Sequence, residues 1–359
     1  MATRSERSVV ALAMGDPAGV SPELTAKILT DSAVREAADF IVFGDRRMLA
    51  EGEKVAGVKV SIPVWTPGSS AAELTDGALF VDLQHLDPAA VKLGDATAVG
   101  GRFALANFRS ALRLAAKGGA GAVTFTPFNK FAMRQALPSY DDEIAVITET
   151  IGASAHGREF NVLPKLWNAR VTSHVPLSGV APLITKEAVV KALTLTDKCM
   201  RAAGIANPRI AVAGLNPHAG DGGNFGREEI DEIEPAVAEA KARGIICEGP
   251  YPSDTVFLRA KRGDFDAVQT MYHDQGQIAM KMMGFDEGVT LVGGYPFPVC
   301  TPAHGTAYDI AGKGVAHPGA TRNAMLIAAS MASAIPAQSA ADRARLINEA
   351  LTEARQAAA

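Results

Sequence analysis

Short apolar runs of four to six residues recur along this chain, and each stops at a turn of glycine or proline with a polar or ionisable neighbour. Val9–Met14 runs into Gly15-Asp16-Pro17, Ala122–Phe125 into Thr126-Pro127, Ile210–Ala213 into Gly214-Leu215-Asn216-Pro217, and Val268–Tyr272 into His273-Asp274-Gln275-Gly276. Unbroken apolar runs this short read as buried strands. Phe40–Phe43, Val58–Val64, Leu79–Leu83, Ala169–Ser173 and Val289–Val292 add further strands. Between them lie helical patterns: Leu105, Phe108, Leu112 and Ala115 share one face, as do Val189, Leu193 and Met200. Strands alternating with helices predict an α/β fold. Such folds place their ligands in the turns at strand ends.

The 359 residues exceed one ordinary core, so two α/β lobes are expected. Hydrophobic residues at 48% and charged ones at 21% suit a globular enzyme. A net charge of −4, with no basic run or aromatic ladder, argues against nucleic acid as a partner. Val9–Met14 is too short for a membrane span or a signal-peptide core, so a cytoplasmic protein with no membrane association is expected. Cys199, Cys247 and Cys300 are widely spaced, which excludes a CxxC zinc site and points to a reducing compartment.

Asp16 lies in the first strand-to-helix turn, where Ser21 is placed to cap a helix with Pro22 at its first position. Two glycines there can meet a phosphate, although the turn matches neither GxGxxG nor a P-loop. Lys130 follows another strand end, where a cation can meet an anionic ligand. Asp141, Asp142 and Glu143 open a helix, a place the helix dipole favours for acids. Three of the seven histidines, His174, His218 and His273, each follow a strand end. A single histidine there is more often a hydrogen-bonded core residue. Three placed alike favour convergence on one ion, and imidazoles suit Zn²⁺, Mn²⁺ or Co²⁺.

His304-Gly305-Thr306-Ala307-Tyr308-Asp309-Ile310-Ala311-Gly312-Lys313 resembles the HGSAPDIAGK loop of isocitrate and isopropylmalate dehydrogenases. That loop holds the adenosine of NAD or NADP. The chain as a whole resembles the 4-hydroxythreonine-4-phosphate dehydrogenase family of pyridoxine (pyridoxal phosphate) biosynthesis. The motifs are MGDPAGVSPE (14–23), TPFNK (126–130), TSHVPL (172–177), GLNPHAGDGG (214–223), PSDT (252–255), YHDQG (272–276) and HGTAYDIAGKG (304–314).

The resemblance implies a two-lobed fold of the isocitrate/isopropylmalate dehydrogenase type, with the active-site cleft between lobes. Residues 1–128 with about 302–359 would form one lobe. Residues from about 129 to 301 would form the other, carrying metal and dimer contacts. It implies His174, His218 and His273 as ligands of a divalent metal, zinc first and manganese, cobalt or magnesium as alternatives. Catalytic roles would fall to Asp254, Asp274 and Lys281, and cofactor contacts to His304, Gly305, Thr306, Ala307 and Asp309. Substrate contacts would fall to Asp16, Lys130, Asp141, Asp142 and Thr290. The partners implied are a small hydroxy acid and a second copy sharing the active sites.

Two departures bear on the substrate. Where the family's loop reads Gly-His-Thr-Glu, this chain has Asp141-Asp142-Glu143. Where the family has Pro-Phe-Ile-Arg, it has Pro296-Phe297-Pro298-Val299, so the arginine that pairs a substrate anion is valine. Arg134 or Arg170 can take that place. The expected reaction is NAD(P)-dependent oxidation of a secondary hydroxyl followed by decarboxylation. The alternative substrates are a 4-phosphorylated threonate or erythronate and a terephthalate cis-dihydrodiol dicarboxylate. A homologue that binds ligand without catalysis is the reading of another class.

Overall fold

The computed structural model describes residues 7–66, 69, 77–154, 156–332 and 339–358. Residues 66–78, rich in Pro, Gly and Ser and so expected as a surface loop, lie mostly outside them. The chain divides into two compact units, Met1–Arg158 with Gly294–Ala359 (unit 1) and Glu159–Gly293 (unit 2). Residues 129–158, expected in the second lobe, cluster with unit 1 because their helices pack on the helix Ala98–Ala116.

Unit 1 contains β1 (Val9–Ala13), α1 (Ser21–Thr30), α2 (Ser32–Ala37), β2 (Asp39–Gly44), α3 (Arg46–Ala56), β3 (Val64–Trp65), β4 (Ala78–Asp82), α4 (Ala98–Ala116), β5 (Ala122–Phe125), α5 (Lys130–Ala136) and α6 (Glu143–Ile151). The chain re-enters it for β12 (Val299–Pro302), α11 (Gly319–Ala332) and α12 (Ala340–Ala358). Its strands run β3-β4-β2-β1-β5-β12, and the pairs are parallel. Every residue of β1 is buried, because α4 and α11 both pack onto this part of the sheet. Phe103 and Phe108 of α4 are among its largest fully buried side chains. A buried phenylalanine stabilises by roughly 2–3 kcal/mol relative to an exposed one.

Three expectations are corrected here. Val58–Val64 forms only the two-residue edge strand β3, since Pro63 has no N–H to give a ladder. Val299–Pro302, whose setting among Gly, Pro and Cys reads from sequence as a loop, pairs with β5, and its Val299 and Cys300 are apolar and buried. Ser21 does not cap α1; Val20 holds the cap position, and the Ser21 hydroxyl turns back to accept from Gly15 N at 2.8 Å.

Unit 2 contains β6 (Arg158–Leu163), β7 (Leu166–Arg170), α7 (Lys186–Ala202), β8 (Ile210–Ala213), α8 (Glu234–Ala242), β9 (Cys247–Tyr251), α9 (Ser253–Lys261), β10 (Ala267–Thr270), α10 (His273–Gly284) and β11 (Val289–Gly293). Its strands run β11-β6-β7-β10-β8-β9. β6 and β7 form an antiparallel hairpin, while β10 lies parallel to both β7 and β8. Leu166, Val256, Phe257, Phe265, Val268 and Met280 build the core under α9 and α10. Thr185 caps α7 as its sequence implies, accepting from Ala188 N at 3.2 Å.

Candidate functional sites in the two units

In unit 2 the parallel strands β7, β10 and β8 are adjacent, so their C-terminal ends emerge along one edge of the sheet. His174 follows β7, His273 follows β10 and His218 follows β8. The extensions of β7 and β10 stay paired past the ladder. Thr172 donates to Met271 O from its backbone N at 3.0 Å and from its hydroxyl at 2.8 Å. That pairing brings the rings of His174 and His273 to 5.6 Å between centroids. Two imidazoles on one tetrahedral ion, with metal–nitrogen bonds near 2.0–2.1 Å, place their ring centres roughly 5 Å apart. The Nδ1 of His273 bonds Asp274 Oδ1 at 2.6 Å. A proton shared there leaves Nε2 with its lone pair free for an ion.

The YHDQG motif was expected to form a glycine turn. Instead α10 begins at His273 itself, and Gly276 sits inside it. A Cβ at Gly276 would stand 2.1 Å from Asn168 Oδ1, so only glycine lets α10 press this closely onto β7. Gln275 accepts from Met271 N and donates to Gly214 O, both at 2.7 Å, tying the end of β10 to the end of β8.

His218 lies in an unusual turn. Residues 218–222 are all left-handed, and three of them, His218 (φ 54°), Ala219 (φ 54°) and Asp221 (φ 45°), are not glycine. Each costs roughly 1 kcal/mol or more against an ordinary conformation. Buried Glu229 holds the turn. Its Oε1 accepts from Leu215 N and Asn216 N, both at 2.7 Å, and its Oε2 from Asn216 Nδ2 at 2.9 Å. Nothing in the residue pattern points to this role, because Glu229 sits among acids that the start of a helix favours anyway.

The structure thus brings His174, His273 and Asp274 together, with His218 on the neighbouring strand end. Among the described residues, no three His, Cys, Asp or Glu side chains of one chain stand close enough to hold an ion. Asp254 is exposed in the first turn of α9, Lys281 is exposed on α10, and Thr290 is half-buried in β11. Arg170, at the end of β7, is only 5% exposed; it pairs with Glu159 at 2.8 Å, while its Nε and Nη1 have no partner.

In unit 1 the turns after β1 and β5 meet where the strand order reverses. Gly15 N donates to Thr126 Oγ1 at 2.9 Å, and Asp16 N to Pro127 O at 3.0 Å. Asp16 is 1% exposed. Its Oδ2 accepts from the Tyr308 hydroxyl at 2.7 Å and its Oδ1 from Ala18 N at 2.8 Å. Burial pushes the Asp16 carboxyl above its usual range, against the pull of those two hydrogen bonds. Burial, then Asp16 itself, pushes the Tyr308 phenol up as well, so it remains a donor.

The 304–313 loop docks on the same turn through Val20 N to Thr306 O at 3.0 Å. Thr306 is buried, Gly305 and Asp309 are exposed, and Ala307 takes a left-handed φ of 44°. Nε2 of His304 is buried without a partner, while its Nδ1 approaches Gly305 O at 3.0 Å.

The acidic cluster is mostly engaged. Asp142 caps α6 by accepting from Ala145 N at 2.8 Å, and Glu143 accepts from the buried Tyr140 hydroxyl at 2.7 Å. Lys130 opens α5, 3.9 Å from Glu143, and Asp141 is exposed. The three cysteines are buried and form no disulfide. Burial pushes the Cys247 thiol up to about 11, which leaves no thiolate there at neutral pH.

Comparison with known proteins agrees with these motifs. The profile of the family described as pyridoxal phosphate biosynthetic protein PdxA matches residues 36–328. A Rhizobium meliloti (strain 1021) protein with the provisional name 4-hydroxythreonine-4-phosphate dehydrogenase 2 is 60% identical over 94% of this chain and 97% of its own. An Oceanobacillus iheyensis protein provisionally named D-threonate 4-phosphate dehydrogenase is 38% identical over 87% of this chain and 94% of its own. The crystal structure of 4-hydroxythreonine-4-phosphate dehydrogenase from Klebsiella pneumoniae matches with a TM-score of 0.78 at 31% identity, covering 92% of this chain and all of that one. With a profile match spanning most of its length, and relatives aligned nearly end to end, the chain belongs to the PdxA family.

Proposed function

We propose that the chain is a dehydrogenase acting on the secondary hydroxyl of a phosphorylated hydroxy acid, dependent on NAD(P) and a divalent metal, with decarboxylation following oxidation. The observation that carries this is the pairing of His174 and His273 at 5.6 Å, at the ends of the adjacent strands β7 and β10, with β10 also adjoining β8, which delivers His218. When bound, the ion would supply Lewis-acid polarisation of a hydroxyl, and the dinucleotide a hydride acceptor. Asp274 fixes the His273 ring. Glu229 and Gln275 fix the backbone that carries His218. Lys281, exposed on α10, is an anion holder or proton relay, and Asp254 is a further acid for proton movement. In unit 1, His304, Gly305, Thr306, Ala307 and Asp309 line the loop assigned to the dinucleotide, and Asp16 braces that loop through Tyr308.

A second copy completes the site in this reading. Val175 and Leu177 beside His174, and Ile278 and Met282 one turn apart on α10, are exposed apolar side chains. A partner that covers them can supply the ligand that one chain does not gather.

Two substrates are named by the relatives, 4-hydroxythreonine 4-phosphate and D-threonate 4-phosphate. Asp141–Asp142 and Val299 stand where the family's substrate-loop His-Thr and anion-binding arginine are expected, so the grip on substrate differs from the family's while the family-name substrate stays the first reading. NADH or NADPH formation by purified protein, with Zn²⁺, Mn²⁺ or Mg²⁺ and each substrate in turn, tests both readings. Turnover of 4-hydroxythreonine 4-phosphate at a higher kcat/KM is expected. A preference for D-threonate 4-phosphate would replace the family-name reaction by the second reading, and no turnover of either would remove the phosphorylated substrates.

A further inference from the structure

Residues 83–87, which follow β4, form one wall of a cavity of about 570 Å³ in unit 1. Small-molecule sites have volumes of roughly 300–1,000 Å³. Arg47 in the first turn of α3 and Arg355 in the last turn of α12 complete the lining. The cavity stands past the C-terminal ends of the parallel strands β2 and β4, the edge where such sheets meet ligands. No residue assigned above to metal, dinucleotide or substrate lines it.

Arg47 is held from behind. Its Nε donates to Asp45 Oδ1 at 2.9 Å and its Nη2 to Asp45 Oδ2 at 2.7 Å, and Asp45 is fully buried. Nη2 also donates to Leu86 O. One edge of the guanidinium is thus fixed, while the side chain as a whole stays 54% exposed, so the edge carrying Nη1 is presented ready-aimed. Arg355 is less committed: its Nε is buried with no partner, and the nearby acid Glu353 is taken by Arg113 at 3.3 Å and Lys117 at 3.5 Å. Asp87 is the one acid among the wall residues, and its Oδ1 already accepts from Ala89 N at 3.0 Å.

His85 adds no charge. Its ring stacks on Phe103, with centroids 4.9 Å apart and 18° between planes, and burial pushes the imidazole below its usual range, so it is neutral. Phe103 and Asn107 lie near its ring nitrogens, yet neither nitrogen makes a hydrogen bond of good geometry. Beside it, Gln84 holds a left-handed φ of 52°, a conformation that costs a non-glycine residue and that clusters at ligand sites.

We propose that this cavity is a second ligand site, which binds a small phosphate-bearing anion between Arg47 and Arg355. Two guanidinium groups against one carboxylate leave the walls with an excess of positive charge, and planar forks match the oxygens of a phosphate. The occupant is inorganic phosphate or a phosphomonoester. Bound there, it ties the last turn of α12 to the segment after β4. The inference stands apart from the metal and dinucleotide readings.

Hydrogen exchange on the full chain, with inorganic phosphate and separately with glycerol 3-phosphate, tests it against chloride at equal ionic strength. Phosphate should slow exchange over 83–87 and 350–356. Arg355→Gln, which breaks no ion pair within the chain, should raise the phosphate concentration for half-protection of those segments by about tenfold or more. Arg47→Lys keeps a cation beside Asp45 but loses the fork, and should do the same. Any phosphate effect over 172–177 or 271–276 should be unchanged in both. Protection at lower concentrations of glycerol 3-phosphate would identify the occupant as an ester, and equal or better protection by inorganic phosphate would identify the free ion. No protection by either, protection matched by chloride, or protection that both substitutions leave intact would overturn the site.

Discussion

In unit 1 all five residues of β1 are buried beneath helices, and among the described residues only Leu93, Phe131 and Val315 are large exposed apolar side chains. Unit 2 is the smaller, yet it holds eight of the eleven such side chains, together with the left-handed 218–222 turn. Unit 1 keeps Asp16 inside a finished core, buried and hydrogen-bonded through Tyr308 and Ala18. Unit 2 presents Asp254, Asp274 and Lys281 to solvent and leaves apolar surface beside them. A parallel sheet buried on both faces can be completed within one chain. A strained loop beside exposed apolar side chains gains from something that covers it.

Core truncation should separate the units most sharply. Phe108→Ala removes a fully buried ring from α4 in unit 1 and should cost about 3–5 kcal/mol in global stability by denaturant titration. At temperatures where the variant is folded, affinity for a divalent ion should be unchanged; a parallel loss of ion binding would merge what the comparison separates.

Glu229→Ala attacks unit 2 instead. It removes the acceptor of two backbone N–H groups and frees the left-handed turn, at a cost of about 2–3 kcal/mol. Hydrogen exchange should accelerate over 214–224 and not across β1, and ion affinity should fall about tenfold or more. Glu229→Gln, which keeps one acceptor oxygen, should recover part of both.

Lys281→Ala leaves packing untouched, since the side chain is exposed, and should lower turnover by about tenfold, roughly 1.4 kcal/mol, with no change in melting temperature. Unchanged turnover would remove Lys281 from the site.

The smallest effect is one of pH. Burial raises the folded-state pKa of Asp16, so its contribution to stability is complete below the ordinary carboxylate pKa and is lost as pH rises through the raised value. Asp16→Asn cannot ionise. The stability difference between variant and wild type should therefore move in the variant's favour as pH rises above the ordinary carboxylate range of about 4. A difference flat above that range would contradict a raised Asp16.

Much of this contrast is legible in the residues. The runs at Val9–Met14, Ala122–Phe125 and Ile210–Ala213 announce buried strands because strands covered on both faces have no polar alternation. The histidines can be placed at strand ends for the same reason. What is not legible depends on partners far away in the chain. Glu229 looks like any acid at a helix start until it is seen folding back on Leu215 and Asn216. Gly276 reads as a turn residue, yet it serves close approach to Asn168. Tyr308 occupies an unremarkable motif position, and only the fold brings its hydroxyl to Asp16. Val299–Pro302 is too short and Pro-flanked to declare itself a strand.

The central claim is that His174, His218 and His273 hold one divalent ion per chain in an assembly of two copies. Metal content by inductively coupled plasma mass spectrometry, on protein sized by light scattering, tests it directly, with His174→Ala, His218→Ala and His273→Ala beside the wild type. The account predicts a dimer with about one tightly held ion per chain, and loss of that ion in each of the three variants while the fold persists. An ion retained after removal of His218, or a wild-type dimer that takes up no ion from Zn²⁺, Mn²⁺ or Co²⁺, would contradict it.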